Sequence, residues 1–153
     1  MTKHYEDAEG QLFVDPILEN HTGLAEITQS QFNQIIAERN TPTTDQLLQQ
    51  ITQERKEQER QGVTINGIRY GGEPANRQAL QEAVAFMDDA GLTQFPRFKD
   101  SDGAFYVDHP LADVLDAYRA IGARRSSLIA TEGQYDAQII AGTLTDLSEV
   151  TWP

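Results

Sequence analysis

The sequence predicts an α+β fold that is mostly helical with short β-hairpins. Three observations carry that reading. Asn66-Gly67 sits between alternating apolar residues, the mark of a two-residue hairpin turn. Asp100-Ser101-Asp102-Gly103 separates two aromatic-rich runs, the mark of a second hairpin. From Pro110 onward, residues recur every three or four positions from Leu111 to Ile139, as on one face of a long helix.

The elements follow in order. Tyr5 and Leu12-Phe13-Val14 flank a turn at Asp7-Ala8-Glu9-Gly10, giving a small hairpin over residues 4–15. Pro16 ends it and residues 16–26 read as irregular. Thr28 and Gln31 have the spacing of a capping box, so a helix starts at Thr28. Phe32, Ile35 and Ile36 form its apolar stripe, and it ends near Asn40, before Pro42. Residues 43–61 read as a connector helix: Leu47, Leu48 and Ile51 fall in its first turns, and Thr52 to Gln61 carry no apolar side chain. Such a segment is expected to be solvated or to bridge two modules.

Gly62 stops that helix, and Val63 to Tyr70 form the Asn-Gly hairpin. Pro74 opens a helix over 74–90, with Leu80, Val84 and Met87 on one face and Gly91 past its end. The hairpin of Phe95–Lys99 and Ala104–Val107 follows. The final long helix places Leu111, Val114, Tyr118, Ile121, Arg125, Leu128, Glu132, Tyr135 and Ile139 along one seam, weakened at Gly122 and Gly133. The organisation expected is an N-terminal hairpin–helix module over 1–42, a connector helix over 43–61 and a helical C-terminal domain over 62–153.

Composition excludes several functions. The 153 residues carry 12 basic and 24 acidic side chains, a net charge of −12. Residues 1–62 hold 5 and 11 of these and residues 63–153 hold 7 and 13, so each part is at −6. That balance opposes nucleic-acid binding and docking on an anionic membrane. An even spread of acid suits solubility in a protein that exposes hairpins. No cysteine is present, which excludes disulfides, thiolate metal sites and cysteine nucleophiles. No run of about 18 apolar residues occurs, and the N-terminal residues lack the order of a secretory signal, so a protein made in the cytoplasm is expected.

No catalytic, cofactor-binding or metal-ligating set stands out. His4, His21 and His109 are far apart and read as surface or turn histidines. Asp100 and Asp102 begin like an EF-hand loop, but the glycine comes too early and the glutamate at position twelve is missing, so a hairpin turn is the simpler reading. Asp88 and Asp89 point about 100° apart on a helix and read as a solvated end. Arg125 and Glu132 fall on the apolar seam, where an ion pair would fix register or partner choice. Aromatic residues gather on the hairpins. Tyr5, Phe13, Tyr70, Phe105 and Tyr106, with Arg125 and Glu132, are the candidates for partner binding.

Residues 62–152 resemble a domain of unknown function found in tail genes of tailed bacteriophages. The resemblance lies in Val63 to Tyr70, Asn76 to Ala83, Phe98 to Gly103 and Leu144 to Trp152. Tyr5 to Phe13 and Gly23 to Thr28 are similar to the starts of phage tail-fibre assembly proteins. The resemblance implies a non-enzymatic protein that binds the tail fibre or tail tip, a trimeric partner, as an assembly chaperone or a virion subunit. It places the protein in the host cytoplasm during assembly and, as a subunit, in the virion tail. Homo-oligomerisation stays open, with 111–139 or 43–61 as the contact. Two alternatives differ in class: a small glycan-directed enzyme with paired carboxylates, and an acidic mimic of nucleic acid. No cofactor is expected.

Overall fold

A computed structural model describes residues 2–15 and 23–153. The chain divides into two units, Met1–Thr43 and Thr44–Pro153. The α+β, mostly helical class expected from the sequence is what the structure shows.

The first unit holds strands β1 (His4–Glu6), β2 (Leu12–Val14) and β3 (Ala25–Ile27) and helix α1 (Gln29–Asn40). The strands form an antiparallel sheet in the order β2-β1-β3. The β1–β2 hairpin is the one expected, with Tyr5 opposite Phe13. Strand β3 falls in a stretch expected to be irregular: three residues carry too little alternation to announce a strand, and pairing with β1 creates it. Of the rest of that stretch, residues 16–22 lie outside the described residues. Thr28 caps α1 through a complete capping box, its Oγ1 accepting from Gln31 N at 3.2 Å while Gln31 Oε1 accepts from Thr28 N at 2.9 Å. Phe32 packs its ring 4.4 Å from that of His4, which is buried.

The second unit holds α2 (Thr44–Gln61), the hairpin β4 (Val63–Ile65) and β5 (Ile68–Tyr70), α3 (Pro74–Asp89), the hairpin β6 (Gln94–Lys99) and β7 (Phe105–Pro110), and α4 (Leu111–Ile140). Ile65 faces Ile68 across the two-residue turn, and Asn66 and Gly67 have φ of 50° and 80°, as a type I′ turn requires. Helix α3 ends in a Schellman motif: Leu92 N donates to Met87 O at 2.9 Å and Gly91 N to Asp88 O at 3.0 Å. Helix α4 runs unbroken through Gly122 and Gly133.

Two apolar clusters hold this unit together. One gathers Tyr70, Leu80, Val114, Ala117 and Ile121 beneath the two hairpins. The other gathers Leu47, Ile51 and Ile139, covered by Tyr135, Leu144, Leu147 and Trp152. Trp152 sits edge-on to Tyr135 and donates from Nε1 to Glu54 Oε2 at 3.2 Å, so the C-terminal segment folds back on α2 and α4.

Helix α2 does not stand between modules. It packs along α4 inside the second unit. Its polar half, expected to be solvated, meets α4 through charge. The side chains of Arg55 and Glu59 are only 13% and 9% exposed. The periodicity of charged residues, not of apolar ones, marks the buried face there. Along α4 the seam is Val114, Ala117, Ile121, Leu128 and Ile139. Tyr118, expected in that seam, lies 36% exposed, and Ala117 takes its place because a small residue lets the neighbouring elements approach.

Candidate functional site

The β6–β7 hairpin combines an inner face built of aromatic rings with an outer face that exposes them. Its register has one interruption. Phe95 faces His109 and Arg97 faces Val107, but Pro96 and Asp108 between them do not pair. Proline has no N–H to give, and Asp108 adopts a left-handed φ of 51°. The local flip turns residues three apart to the same side. Phe95 and Phe98 pack into the core cluster, while Tyr106 is half-buried and His109 buried. Arg97, Lys99, Phe105 and Val107 point outward.

The inner face is a closed polar–aromatic group. Tyr70 Oη lies 2.7 Å from His109 Nε2, both buried, and the ring of His109 stacks 4.5 Å from that of Phe98. Burial pushes the Tyr70 hydroxyl up to about 12, helped by the nearby Asp113 carboxylate. Burial also holds the His109 imidazole below its ordinary value, against an opposing pull from Asp113. His109 is thus a satisfied core histidine and His4 is buried too, which corrects the surface reading of both; His21 lies outside the described residues. A local sequence pattern cannot reveal this, because the partner of His109 comes from 39 residues away.

The depressed His109 pKa sets a pH dependence. The unfolded ring protonates near pH 6.5 while the folded ring resists, so the unfolded state binds more protons as pH falls below that value. Stability of the second unit is expected to be level above pH 7 and to decline as pH drops through 6.5. An NMR titration of the imidazole checks this directly. A His109 midpoint at or above 6.5 contradicts it.

The Asp100–Gly103 turn is a structural device. Asp100 Oδ1 accepts from Asp102 N at 3.0 Å and Ala104 N at 2.8 Å, and Oδ2 accepts from the Tyr106 hydroxyl at 3.0 Å. Burial favours the neutral acid, but the Ala104 amide, the Tyr106 hydroxyl and the Asp102 amide outweigh it and hold the carboxyl below its usual range. Asp102 is engaged with Arg69, whose Nε donates to its Oδ1 at 2.8 Å. Among the described residues, no group of three metal-ligating side chains converges.

The candidate partner-binding residues separate clearly. Tyr5 and Phe13 are half-buried neighbours in the first unit. Tyr70 is only 2% exposed, so it is core and not a surface anchor. Tyr106 is half-buried and tied to Asp100. Phe105 is 62% exposed, with the Arg97 guanidinium 5.4 Å and the Lys99 ammonium 5.5 Å from its ring centre. Val107 beside it is 71% exposed.

Arg125 and Glu132 do not pair with each other. Arg125 Nε lies 3.4 Å from Glu59 Oε1, and Glu132 lies beside Arg55. Glu59 also meets Arg55, and its Oε2 accepts from Arg77 Nη1 at 3.2 Å. One buried carboxylate from α2 therefore holds guanidiniums from α2, α3 and α4. Glu59 is the residue that sequence reasoning passed over. Its only signal was the Arg55–Glu59 spacing, which by itself indicates a weak surface pair.

No curated protein and no solved structure matches the chain. A family described as a domain of unknown function (DUF4376) matches residues 42–151, which takes in all of the second unit but its last two residues. That match spans more than two thirds of the sequence, and the chain belongs to the DUF4376 family.

Proposed function

We propose that this is a non-enzymatic bacteriophage tail protein that binds the tail fibre, as an assembly chaperone or as a tail subunit. The observation that carries the reading is the outer face of β6–β7. Phe105 and Val107 stand 62% and 71% exposed on a two-stranded hairpin, with Arg97 and Lys99 over the aromatic ring. An exposed aromatic flanked by cations suits a protein partner, since aromatics and arginine concentrate in interface hot spots. Each strand of this hairpin also keeps one edge with no strand beside it among the described residues. An extended segment of a fibre chain could add to such an edge.

The sequence resemblance to tail-gene and fibre-assembly modules supplies the partner. The acidic side chains with the closest contacts support a binding role over carboxylate catalysis. Asp100 is consumed by its turn, and Glu59 and Glu132 by arginines.

Co-expression with the cognate fibre tests the proposal. Phe105→Ala with Val107→Ser is expected to lower the yield of trimeric fibre. The fold should lose no more than about 0.5 kcal/mol, because neither side chain is buried. Equal fibre yields with the variant, the wild type and no added protein overturn the chaperone form, and absence of the protein from purified virions overturns the subunit form.

A further inference from the structure

The second unit carries two exposed patches of opposite charge, each built on one aromatic and one aliphatic side chain. On the outer face of β6–β7, Arg97 lies across from Val107 and Lys99 across from Phe105. Eight of the 12 basic residues form an ion pair among the described residues; Lys56, Arg97, Lys99 and Arg124 do not. Arg97 and Lys99 stand two positions apart on one strand, so they share a face and oppose one another. The carboxylates near them are committed or apart: Asp100 is held in its turn, Asp102 meets Arg69, and Asp108 forms no ion pair among the described residues.

The last turn of α3 holds the counterpart. Asp88 and Asp89 are exposed, and no basic residue stands in that turn. Neither carboxylate forms an ion pair among the described residues. The C-terminal end of a helix is the negative end of its dipole, so two carboxylates there work against the helix. Phe86 in the same turn is 65% exposed. Leu92 is 43% exposed, and its N–H bond to the Met87 carbonyl folds it back beside that turn. Each patch thus holds charge that its own element opposes, and each leaves a large apolar side chain in water.

We propose that the β6–β7 face of one copy takes the α3 end of a second copy. Asp88 and Asp89 meet Arg97 and Lys99, while Phe86 and Leu92 cover Phe105 and Val107. The planar guanidinium fork of Arg97 matches a carboxylate in two hydrogen bonds. The contact joins two different patches, so it is heterologous and every copy offers one of each kind. The net charge of −12 repels copies at a distance, so association rests on this local match. The inference rests on the face used in the tail reading and deepens it: in the free protein a second copy covers the surface that a fibre segment must claim.

Sedimentation of the full chain over a range of concentrations, without fibre, tests the contact and tells its failure from that of the tail reading. The wild type is expected to exceed the monomer mass as concentration rises. Arg97→Glu with Lys99→Glu should weaken association about tenfold or more, and so should Asp88→Lys with Asp89→Lys. The lysine variant places cations at the negative helix end, so its melting temperature should not fall. Mixing the two reversed variants should restore association, because each then supplies the charge that the other lacks. Lys56→Glu, on α2, should leave association unchanged. The proposal is overturned by a wild type that stays monomeric, by either reversed pair associating as the wild type does, or by a mixture that stays monomeric.

Discussion

Gly62→Ala is expected to lower the stability of the second unit by about 3–4 kcal/mol, near the upper end for a single substitution. A Cβ at Gly62 would stand 1.8 Å from the Tyr70 carbonyl oxygen and 2.8 Å from the Gly71 Cα. Backbone atoms cannot swing away as a side-chain end can. The φ of 67° adds about 1 kcal/mol, because a Cβ disfavours the left-handed region. Gly72 makes the reciprocal contact, its own Cβ position lying 1.8 Å from the Glu59 carbonyl oxygen. The end of α2 and the end of β5 thus touch backbone to backbone, and glycine on both sides permits it. Gly67→Ala is the control: φ is 80° but nothing lies within 4 Å, so only the conformational cost of about 1 kcal/mol applies. Trp152, the one tryptophan of the chain, reports on this unit by fluorescence during urea unfolding. Equal losses at Gly62 and Gly67 would show that the close approach contributes nothing.

Glu59→Gln is the second large effect, an expected loss of about 2–4 kcal/mol. The glutamate side chain is 9% exposed and faces Arg55, Arg77 and Arg125. Removing the shared anion takes the carboxylate from Arg77 and Arg125, while Arg55 keeps Glu132. The amide can still accept a hydrogen bond, so the loss measures charge more than shape. Added salt should narrow the gap between variant and wild type by screening the charges. Glu57→Gln provides the comparison. Glu57 pairs with Arg60 in an exposed contact, 48% and 58% exposed, and its loss should cost less than about 0.5 kcal/mol. If both variants unfold at the same urea concentration, the buried cluster has no special weight.

Much of the fold was legible because its signals are local. The capping box at Thr28, the turn at Asn66-Gly67 and the glycine after α3 each act within a few residues. The candidate sites were less legible. Phe105 and Tyr70 look alike as aromatics on predicted strands, yet one is exposed and the other buried. The interruption at Pro96 and Asp108 decides which rings of β6 and β7 turn inward, and strict alternation does not foresee it. Strand β3 escaped because its partner, β1, supplies the hydrogen bonds that define it.

By itself, the amino-acid order determined the fold class, most element boundaries and an acidic chain with no cysteine chemistry. These depend on backbone preference, short-range hydrogen bonding and composition, all complete within one segment. Only the tertiary structure decided that α2 belongs with α4 and that Glu59 joins three arginines from three helices. Charge acts through space, and whether an arginine is solvated, paired or waiting for a ligand depends on neighbours brought from distant parts of the chain.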